Sequence, residues 1–276
     1  MSRDPASSGW CAMSTSFSTT ALQGKRALVT GGSRGIGGAI VDRLAGMGAA
    51  IVIGDVNLDG ANAKADELRA AGASAEAFQV DLSDRVATVA FAAAVGDIDI
   101  LINNAAPMQT NAPFLEIPDS EWELQFSVIM WAPLLLTRAF GKSMIAAGRG
   151  GSIVNILSTS VRSPATFVAP YASAKAALEV ITKCSALELA PFGIRTNAVA
   201  PTFVPTERNR PVWERSGFTE GSTRNNPTGR LATPEDIAGA VAFLVSADGG
   251  YVNGQTLTVD GGSSAGLFMP APPKAS

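Results

Sequence analysis

The chain has 276 residues, 46% of them hydrophobic and 16% charged, with a formal net charge of -3. This composition supports a sizeable core, and it excludes a disordered chain and a strongly basic one, so neither nucleic acid nor an anionic membrane is an expected partner. The absence of histidine excludes a Ser-His-Asp hydrolase, a histidine-ligated zinc and a histidine general base, and we expect no metal site. Cys11 and Cys184 form no CxxC pair, which favours a cytoplasmic protein without a disulfide framework.

The two ends of the chain differ in composition from its middle. Residues 1–21 are polar and lack the apolar segment of a secretory signal, so we predict a flexible extension there. Residues 22–265 are predicted to form one domain, followed by a tail at 266–276. The longest apolar run, 128–136, is much shorter than the ~18 residues of a membrane span and is interrupted by Pro133.

Short β-branched segments alternate with longer alanine-rich segments through the predicted domain. The predicted strands are 26–30, 50–55, 75–81, 98–103, 152–158, 195–200 and 256–260. The predicted helices are 35–48, 57–71, 84–95, 119–147, 171–190 and 234–246. Such alternation predicts a doubly wound α/β fold, in which helices cover both faces of a parallel sheet. The one long irregular stretch, 201–230, is predicted to provide a lid at about 202–230, on the carboxyl side of the sheet.

The first predicted strand ends in a glycine-rich turn. Residues 30–37 read TGGSRGIG and lead directly into a helix, where a pyrophosphate can approach the backbone. Asp55 ends the second strand, 24 positions after Gly31, and its carboxylate can bind ribose hydroxyls and repel a 2′-phosphate. We therefore predict a dinucleotide site that prefers NAD(H) to NADP(H). Arg34 favours the opposite preference, because it could pair with a 2′-phosphate.

Six further motifs, together with this turn, resemble those of the short-chain dehydrogenase/reductase family. They are Asp81-Leu82, the NNAA segment 103–106, the YxxxK pair Tyr171 and Lys175, Ser158 thirteen residues before that tyrosine, NAVAP at 197–201 and GQTLTVDGG at 254–262. The resemblance spans residues 22–262. It implies a single-domain Rossmann-like fold with strand order 3-2-1-4-5-6-7. It also implies an oxidoreductase that uses NAD or NADP to interconvert a secondary alcohol and a ketone of a small molecule.

The same resemblance assigns roles to individual residues. Cofactor contacts are implied for Gly31, Ser33, Arg34, Gly35, Ile36, Gly37, Asp55, Asp81, Leu82, Asn103, Ala105, Tyr171, Lys175, Pro201, Val204 and Thr206. Catalysis is implied for Ser158, Tyr171 and Lys175, with Tyr171 as the general acid/base. The two longest helices are expected to build a homotetramer or a homodimer.

The chemistry of these three side chains can also be argued directly. The ordinary pKa of a tyrosine is ~10, so the phenol keeps its proton at neutral pH and is a poor base. Tyr171 and Lys175 are four residues apart and share a helix face, so we expect the ammonium to lower the tyrosine pKa. Ser158 can hydrogen-bond the substrate oxygen. An isolated YxxxK would indicate an ordinary amphipathic helix, but the serine and the nucleotide turn favour catalysis.

Three positions depart from the family pattern. Ala106 and Thr202 each replace a glycine, and Ile129 replaces an asparagine seven residues after a tryptophan. The resemblance implies that the main-chain carbonyl at this asparagine holds a water of a proton relay. Pro133, four residues after Ile129, has no N–H, so we expect the Ile129 carbonyl to stay free for that water. Two alternatives remain open: a nucleotide-binding regulator without turnover, or a non-redox enzyme on the same scaffold.

The lid and the strand ends supply candidate substrate contacts. Phe203, Trp213 and Phe218 could form one apolar wall. Five arginines, Arg208, Arg210, Arg215, Arg224 and Arg230, alternate with Glu207, Glu214 and Glu220. We interpret these charges as a solvated, salt-bridged lid, with an anion site as the alternative. Met108, Gln109, Thr159 and Ser160 are further pocket candidates.

Overall fold

The computed structural model describes residues 18–224 and 226–266, so most of the predicted extension and tail lies outside the described residues. The strands are β1 (Arg26–Thr30), β2 (Ala50–Asp55), β3 (Ala75–Gln79), β4 (Ile100–Asn103), β5 (Gly151–Ile156), β6 (Ile194–Pro201) and β7 (Thr256–Val259). They form a parallel sheet in the order β3-β2-β1-β4-β5-β6-β7. The predicted doubly wound α/β fold and its strand order are confirmed.

Helices connect the strands and cover both faces of the sheet. They are α1 (Gly35–Gly46), α2 (Leu58–Ala70), α3 (Arg85–Val95), α4 (Asp119–Phe126), α5 (Ala132–Ala147), α6 (Ala169–Leu189), α7 (Arg210–Trp213), α8 (Phe218–Arg224) and α9 (Pro234–Val245). The helix predicted at 119–147 is continuous but includes a π-helical turn, Ser127–Trp131, between α4 and α5. The stretch 201–230, predicted to be irregular, contains the short helices α7 and α8.

The continuous apolar runs in the strands reflect burial on both faces. In β1, Val29 packs on the side of the sheet that carries Ile40 of α1 and Val241 of α9. The preceding residue, Leu28, packs on the opposite side, with Phe140 of α5. Successive side chains of a strand point to opposite faces, so the central residues of such a strand, Ala27, Leu28 and Val29 in β1, are all apolar. Packing on both faces holds the sheet in place, so residues at its carboxyl edge have well-defined positions.

The segment Asp119–Ala147 is long and apolar enough to cross a membrane by length and composition alone. A core helix passes the same test, and half of its most apolar window is buried within the domain. Leu136 and Phe140 pack against the sheet with exposed fractions of 0% and 2%. The hydrophobicity of this segment is therefore accounted for by packing in the core.

Helix α9 begins at a capped N-terminus that also anchors the end of the lid. Thr233 and Asp236 form a reciprocal capping box, and Pro234 occupies the first turn of the helix. Arg230 forms a bidentate ion pair with Asp236, at 2.6 and 2.8 Å. The hydrogen bond from Arg230 is the main reason that the pKa of Asp236 falls to about 2. The C-terminal end of the predicted lid is thus tied to a core helix.

Candidate active site

The glycine-rich turn lies between β1 and α1. Gly31 has a φ of +64°, a left-handed conformation that favours glycine. A Cβ on Gly37 would collide with the carbonyl oxygen of Gly31, so the turn closes only with glycine at that position. These two glycines bring the backbone around tightly enough to point the start of α1 toward the carboxyl edge of the sheet.

The adjacent residues Asn103 and Asn104 have different roles from those predicted. Asn103, an expected cofactor contact, is 3% exposed, and its amide donates to Asn155 inside the sheet at 2.8 Å. Asn104 instead donates to the carbonyl oxygens of Thr30 and Gly31, at 2.9 and 3.0 Å. The Asn103 side chain is therefore not brought to the binding surface, whereas Asn104, to which no role was assigned, braces the turn. The alternation of side chains at a strand end was the sequence signal for this difference.

The residues after the turn leave an anion site at the start of α1. Arg34 occupies the N-cap position and makes no side-chain capping hydrogen bond. The first amides of α1 are therefore free of a side-chain cap, and with the helix dipole they favour an anionic group. Ser33 donates its amide to Asp55 at 3.2 Å, which holds the carboxylate beside the turn. Gly35 and Ile36, both partly buried, form the first residues of the helix. These features fit the diphosphate and ribose of a dinucleotide.

The remaining predicted cofactor residues surround this turn or support it from the core. Asp81 is exposed and accepts hydrogen bonds from the amide and hydroxyl of Ser83, at 2.9 and 2.7 Å. Leu82 is 7% exposed and packs in the core beside α3, and Pro201 and Val204 are buried as well. Ala105 donates its amide to Thr30 at 3.2 Å. The buried residues support the site from within rather than presenting their side chains on its surface.

Ser158, Tyr171 and Lys175 come together beyond the carboxyl end of β5. The Ser158 hydroxyl accepts a hydrogen bond from the amide of Ser160 at 3.1 Å and lies 3.0 Å from its hydroxyl oxygen. Tyr171 and Lys175 lie one turn apart on α6, and the Lys175 Nζ is 5.6 Å from the centroid of the tyrosine ring. Lys175 is 2% exposed and donates to the carbonyl oxygen of Ile156 at the end of β5.

Burial governs the electrostatics of this group. Burial raises the pKa of Tyr171, although a hydrogen bond with Ser158 and the charge of Arg208 act to lower it. Burial also lowers the pKa of Lys175 to about 7, with a further contribution from Arg208. The prediction that Lys175 lowers the tyrosine pKa is therefore wrong for this structure. Both groups lose hydration, and the lysine is directed at the Ile156 carbonyl instead of the phenol oxygen.

The Ile129 side chain fills the position of the asparagine expected from the family pattern. It is fully buried in an apolar cluster with Leu157 and Ala174, against which Tyr171 also packs. It lies inside the π-helical turn, where the amide of Ala132 donates to the carbonyl of Ser127, five residues back. Such turns often occur at functional sites. The substitution thus converts a polar position near the tyrosine into part of the core.

The lid reaches the site through residues that sequence reasoning assigned to a solvated surface. Arg210 pairs with Glu207 at 2.7 Å, in agreement with that prediction. Arg208 does not fit the prediction of a solvated lid. It is partly buried, and its charge lowers the pKa values of both Tyr171 and Lys175. The predicted aromatic wall exists in part, since Phe203 and Phe218 pack edge to face with ring centroids 4.9 Å apart.

Comparison with known proteins agrees with this geometry. Residues 31–264 match the family model described as enoyl-(acyl carrier protein) reductase. The chain is 38% identical to 2,3-dihydro-2,3-dihydroxybenzoate dehydrogenase of Bacillus subtilis, over 89% of this chain and 98% of the relative. It is 37% identical to galactitol 2-dehydrogenase of Agrobacterium fabrum, over 88% and 98% of the two chains.

A solved structure is similar over nearly the same length. The gluconate 5-dehydrogenase of Burkholderia cenocepacia, in complex with NADP and tartrate, superposes with a TM-score of 0.84 and is 36% identical. The match covers 91% of this chain and 99% of that one. These relatives confirm the resemblance drawn from the motifs. The phosphate turn and the serine, tyrosine and lysine beyond β5 agree with it. The chain belongs to the short-chain dehydrogenase/reductase family and is an NAD(P)-dependent oxidoreductase that interconverts alcohols and ketones.

Proposed function

We propose that the substrate is a small polyhydroxylated molecule, a polyol or a sugar acid, and that Tyr171 is the general acid/base. The observation that carries this proposal is the convergence of Ser158, Tyr171 and Lys175 next to the phosphate turn. Support for the substrate class comes from relatives named as galactitol 2-dehydrogenase and gluconate 5-dehydrogenase. Both names describe oxidation of one hydroxyl among several.

The chain's own residues handle the proton in this reaction, and a bound nicotinamide supplies or accepts the hydride. In the reduction direction, the Tyr171 phenol gives its proton to the carbonyl oxygen, and in oxidation the phenolate takes the proton from the hydroxyl. Ser158 donates a hydrogen bond to the same oxygen, and Ser160 orients the Ser158 hydroxyl. Burial raises the pKa of Tyr171, so the phenol stays protonated at neutral pH, which is the form that the reduction direction requires.

We propose NAD(H) as the preferred cofactor. The Asp55 carboxylate is held by the amides of Ser33 and Asn57, at 3.2 and 3.1 Å, and would face the adenosine ribose. A 2′-phosphate in that place would be repelled by the carboxylate. Arg34 is exposed beside it and opposes this preference. The relative from Burkholderia cenocepacia has NADP bound, so NADPH is the necessary competitor in any assay.

We propose that the chain forms a homodimer or homotetramer and that it is cytoplasmic. Helix α6 exposes Val180, Cys184 and Leu187 at helical spacing, with exposed fractions of 59% for the valine and 78% for the leucine. This apolar stripe supports a homodimer or homotetramer built on α6. Light scattering of wild type and Leu187→Asp tests it, with a smaller particle expected for the variant. The free Cys184 thiol is compatible with a cytoplasmic location, which cell fractionation would test.

The function is tested by following NADH and NADPH oxidation with ketoses, keto acids of sugars and simple ketones. We expect turnover with the polyhydroxylated ketones and a higher kcat/KM with NADH. A chain that binds NADH but turns over none of these ketones would support the regulator alternative. Conversion of substrate without any change in the cofactor would support the non-redox alternative.

A further inference from the structure

The first part of the lid is held in place by a small network of polar side chains. Asn209 accepts from the amide of Thr206 at 2.7 Å and donates to the carbonyl of Val204 at 2.9 Å. Trp213 donates its indole N–H to the carbonyl of Thr206 at 3.0 Å. Val204 is 4% exposed and anchors the segment in the core. The segment 204–209 therefore has a defined position relative to the sheet.

That position is directly over the phosphate turn. The Thr206 methyl carbon lies 3.3 Å from the place that a Cβ on Gly35 would occupy. Gly35 is the first residue of α1, whose N-terminal amides have no side-chain cap. Arg208 follows Thr206 by two residues and is partly buried. The lid thus brings a guanidinium to the rim of the predicted diphosphate site.

Arg208 differs from Arg210 and Arg230 because no carboxylate is bonded to it, and from the exposed Arg215 because it is partly buried. Arg210 pairs with Glu207 at 2.7 Å and with Glu214 at 3.8 Å, and Arg230 pairs with Asp236. Within residues 18–224 and 226–266, no ion pair or side-chain hydrogen bond engages the Arg208 guanidinium. A partly buried guanidinium without a hydrogen-bonded partner loses hydration that an anionic ligand could replace.

The electrostatic surroundings of Arg208 extend to both halves of the site. Burial lowers the pKa of Arg208, repulsion from Arg34 lowers it further, and Tyr171 and Asp55 act in the opposite direction. The charge of Arg208 also contributes to the lowered pKa of Lys175. Arg34 and Asp55 lie on the adenosine side, whereas Tyr171 and Lys175 lie on the catalytic side. These directions agree with the contact between Thr206 and Gly35, which places the start of the lid at the phosphate turn. In a bound dinucleotide the diphosphate lies at that turn and joins the two nucleosides.

We propose that Arg208 binds the diphosphate of the nicotinamide cofactor from the lid side, opposite the amides of the glycine turn. A guanidinium suits this position because its planar donors can form paired hydrogen bonds to phosphate oxygens. Arg208 is thereby a cofactor-positioning residue that holds the lid closed on the bound dinucleotide. The proposal rests on the assignment of the chain as an NAD(P)-dependent enzyme.

The test compares Arg208→Leu and Arg208→Lys with Arg215→Leu, a control that removes an exposed lid arginine. Calorimetry measures the Kd of NADH, ADP and adenosine, and thermal melting confirms that each variant is folded. We expect Arg208→Leu to bind NADH and ADP at least about tenfold more weakly and adenosine with unchanged affinity. Arg208→Lys should lose less affinity for NADH and ADP than Arg208→Leu, and the affinities of Arg215→Leu should match those of wild type. The salt dependence of ADP binding should become shallower in Arg208→Leu.

Three results would overturn the proposal. Unchanged NADH and ADP affinities in a folded Arg208→Leu protein would show that the guanidinium is not a diphosphate ligand. A higher KM for a sugar acid, with NADH affinity intact, would assign Arg208 to a substrate carboxylate instead. An equal loss for adenosine and ADP would indicate a general structural effect. If wild type binds neither NADH nor ADP, the cofactor assignment itself fails, which the wild-type titration distinguishes from a failure of Arg208 alone.

Discussion

The phosphate-turn half of the site and the catalytic half are built by different physical means. In the first, the proposed binding groups are main-chain amides around Gly31 and Gly35 and the partly exposed carboxylate of Asp55. In the second, Lys175 is 2% exposed, and burial shifts its pKa and that of Tyr171 in opposite directions. Local backbone geometry therefore determines the binding half, and spacing along the chain reports it well. Spacing also located the residues of the catalytic half, but desolvation sets their pKa values, and spacing does not report desolvation.

The strongest test of the catalytic half is Tyr171→Phe. The ring still fills its place, but the transferable proton is gone, so kcat should fall by ~10²–10⁴-fold. The affinity for NADH, measured by fluorescence titration, should change little because the phosphate-turn half is intact. Tyr251→Phe is the matched control, since Tyr251 is the only other tyrosine in the chain and is fully exposed. A near-normal kcat in Tyr171→Phe would remove Tyr171 as the general acid/base.

Lys175→Met tests the cost of burial in the same half. The folded pKa of about 7 lies below the ordinary lysine value of 10.5, so the unfolded chain binds more protons between these pH values. The stability of wild type should therefore rise with pH from about 7 to about 10.5, and the full cost of the buried ammonium is present below pH 7. At about 1.4 kcal/mol per pH unit, Lys175→Met should raise the free energy of unfolding by roughly 3–5 kcal/mol at pH 6. The variant also loses the hydrogen bond from Lys175 to the Ile156 carbonyl, which reduces this gain in stability by about 1 kcal/mol.

Denaturant unfolding at pH 6, 8 and 10 measures this effect, and the advantage of the variant should shrink as the pH rises. Lys142→Met, on the exposed surface of α5, is the control and should show no such pH dependence. A Lys175→Met protein that is less stable than wild type at every pH would mean that the buried ammonium is stabilised by its surroundings, and the contrast between the two halves would then be smaller.

The same contrast explains which features could be predicted from the sequence. The predicted bounds of β1 and β2 match the structure, because each strand has a central run of apolar residues that is buried on both faces of the sheet. The side chain of Asn103 bonds inside the sheet and that of Asn104 braces the turn, a difference that the motif does not predict because it does not say which side chain points into the sheet. The π-helical turn around Ile129 and the buried Arg208 depend on tertiary packing. The composition of an α-helix or a lid does not reveal either of them.

Asp55→Ser tests the binding half, where the preference for NADH over NADPH should depend on the charge of this one carboxylate. Removing the carboxylate removes its repulsion of a 2′-phosphate, so the ratio of kcat/KM for NADPH to that for NADH should rise about tenfold or more, equivalent to about 1.4 kcal/mol. Asp59→Ser is the control, because Asp59 is an exposed carboxylate four residues away in α2. An unchanged ratio, or a wild-type enzyme that already prefers NADPH, would show that Arg34 outweighs Asp55.

The smallest expected effect on kcat comes from Pro133, close to Ile129, where the chain departs from the family pattern. Pro133 follows the π-helical turn and cannot donate to the carbonyl of Ile129, four residues earlier. We predict that this carbonyl holds a water near Lys175, so that the main chain performs the task of the missing asparagine. Pro133→Ala supplies the absent donor and should reduce kcat several-fold with a smaller change in NADH affinity. Pro234→Ala, at the start of α9 on the other face of the sheet, is the control.

Ile129→Asn separates the main chain from the side chain in this argument. If the carbonyl alone is sufficient, restoring the amide adds little activity, and burying it in the apolar cluster around Leu157 lowers the melting temperature. A gain in kcat of about a hundredfold, of the size that a proton-transfer group supplies, would instead show that the asparagine side chain was essential. A crystal structure with the Ile129 carbonyl bonded to an amide within the helix, and no water near Lys175, would lead to the same conclusion. In that case the catalytic half would depend on the side chain at position 129 as well as on burial.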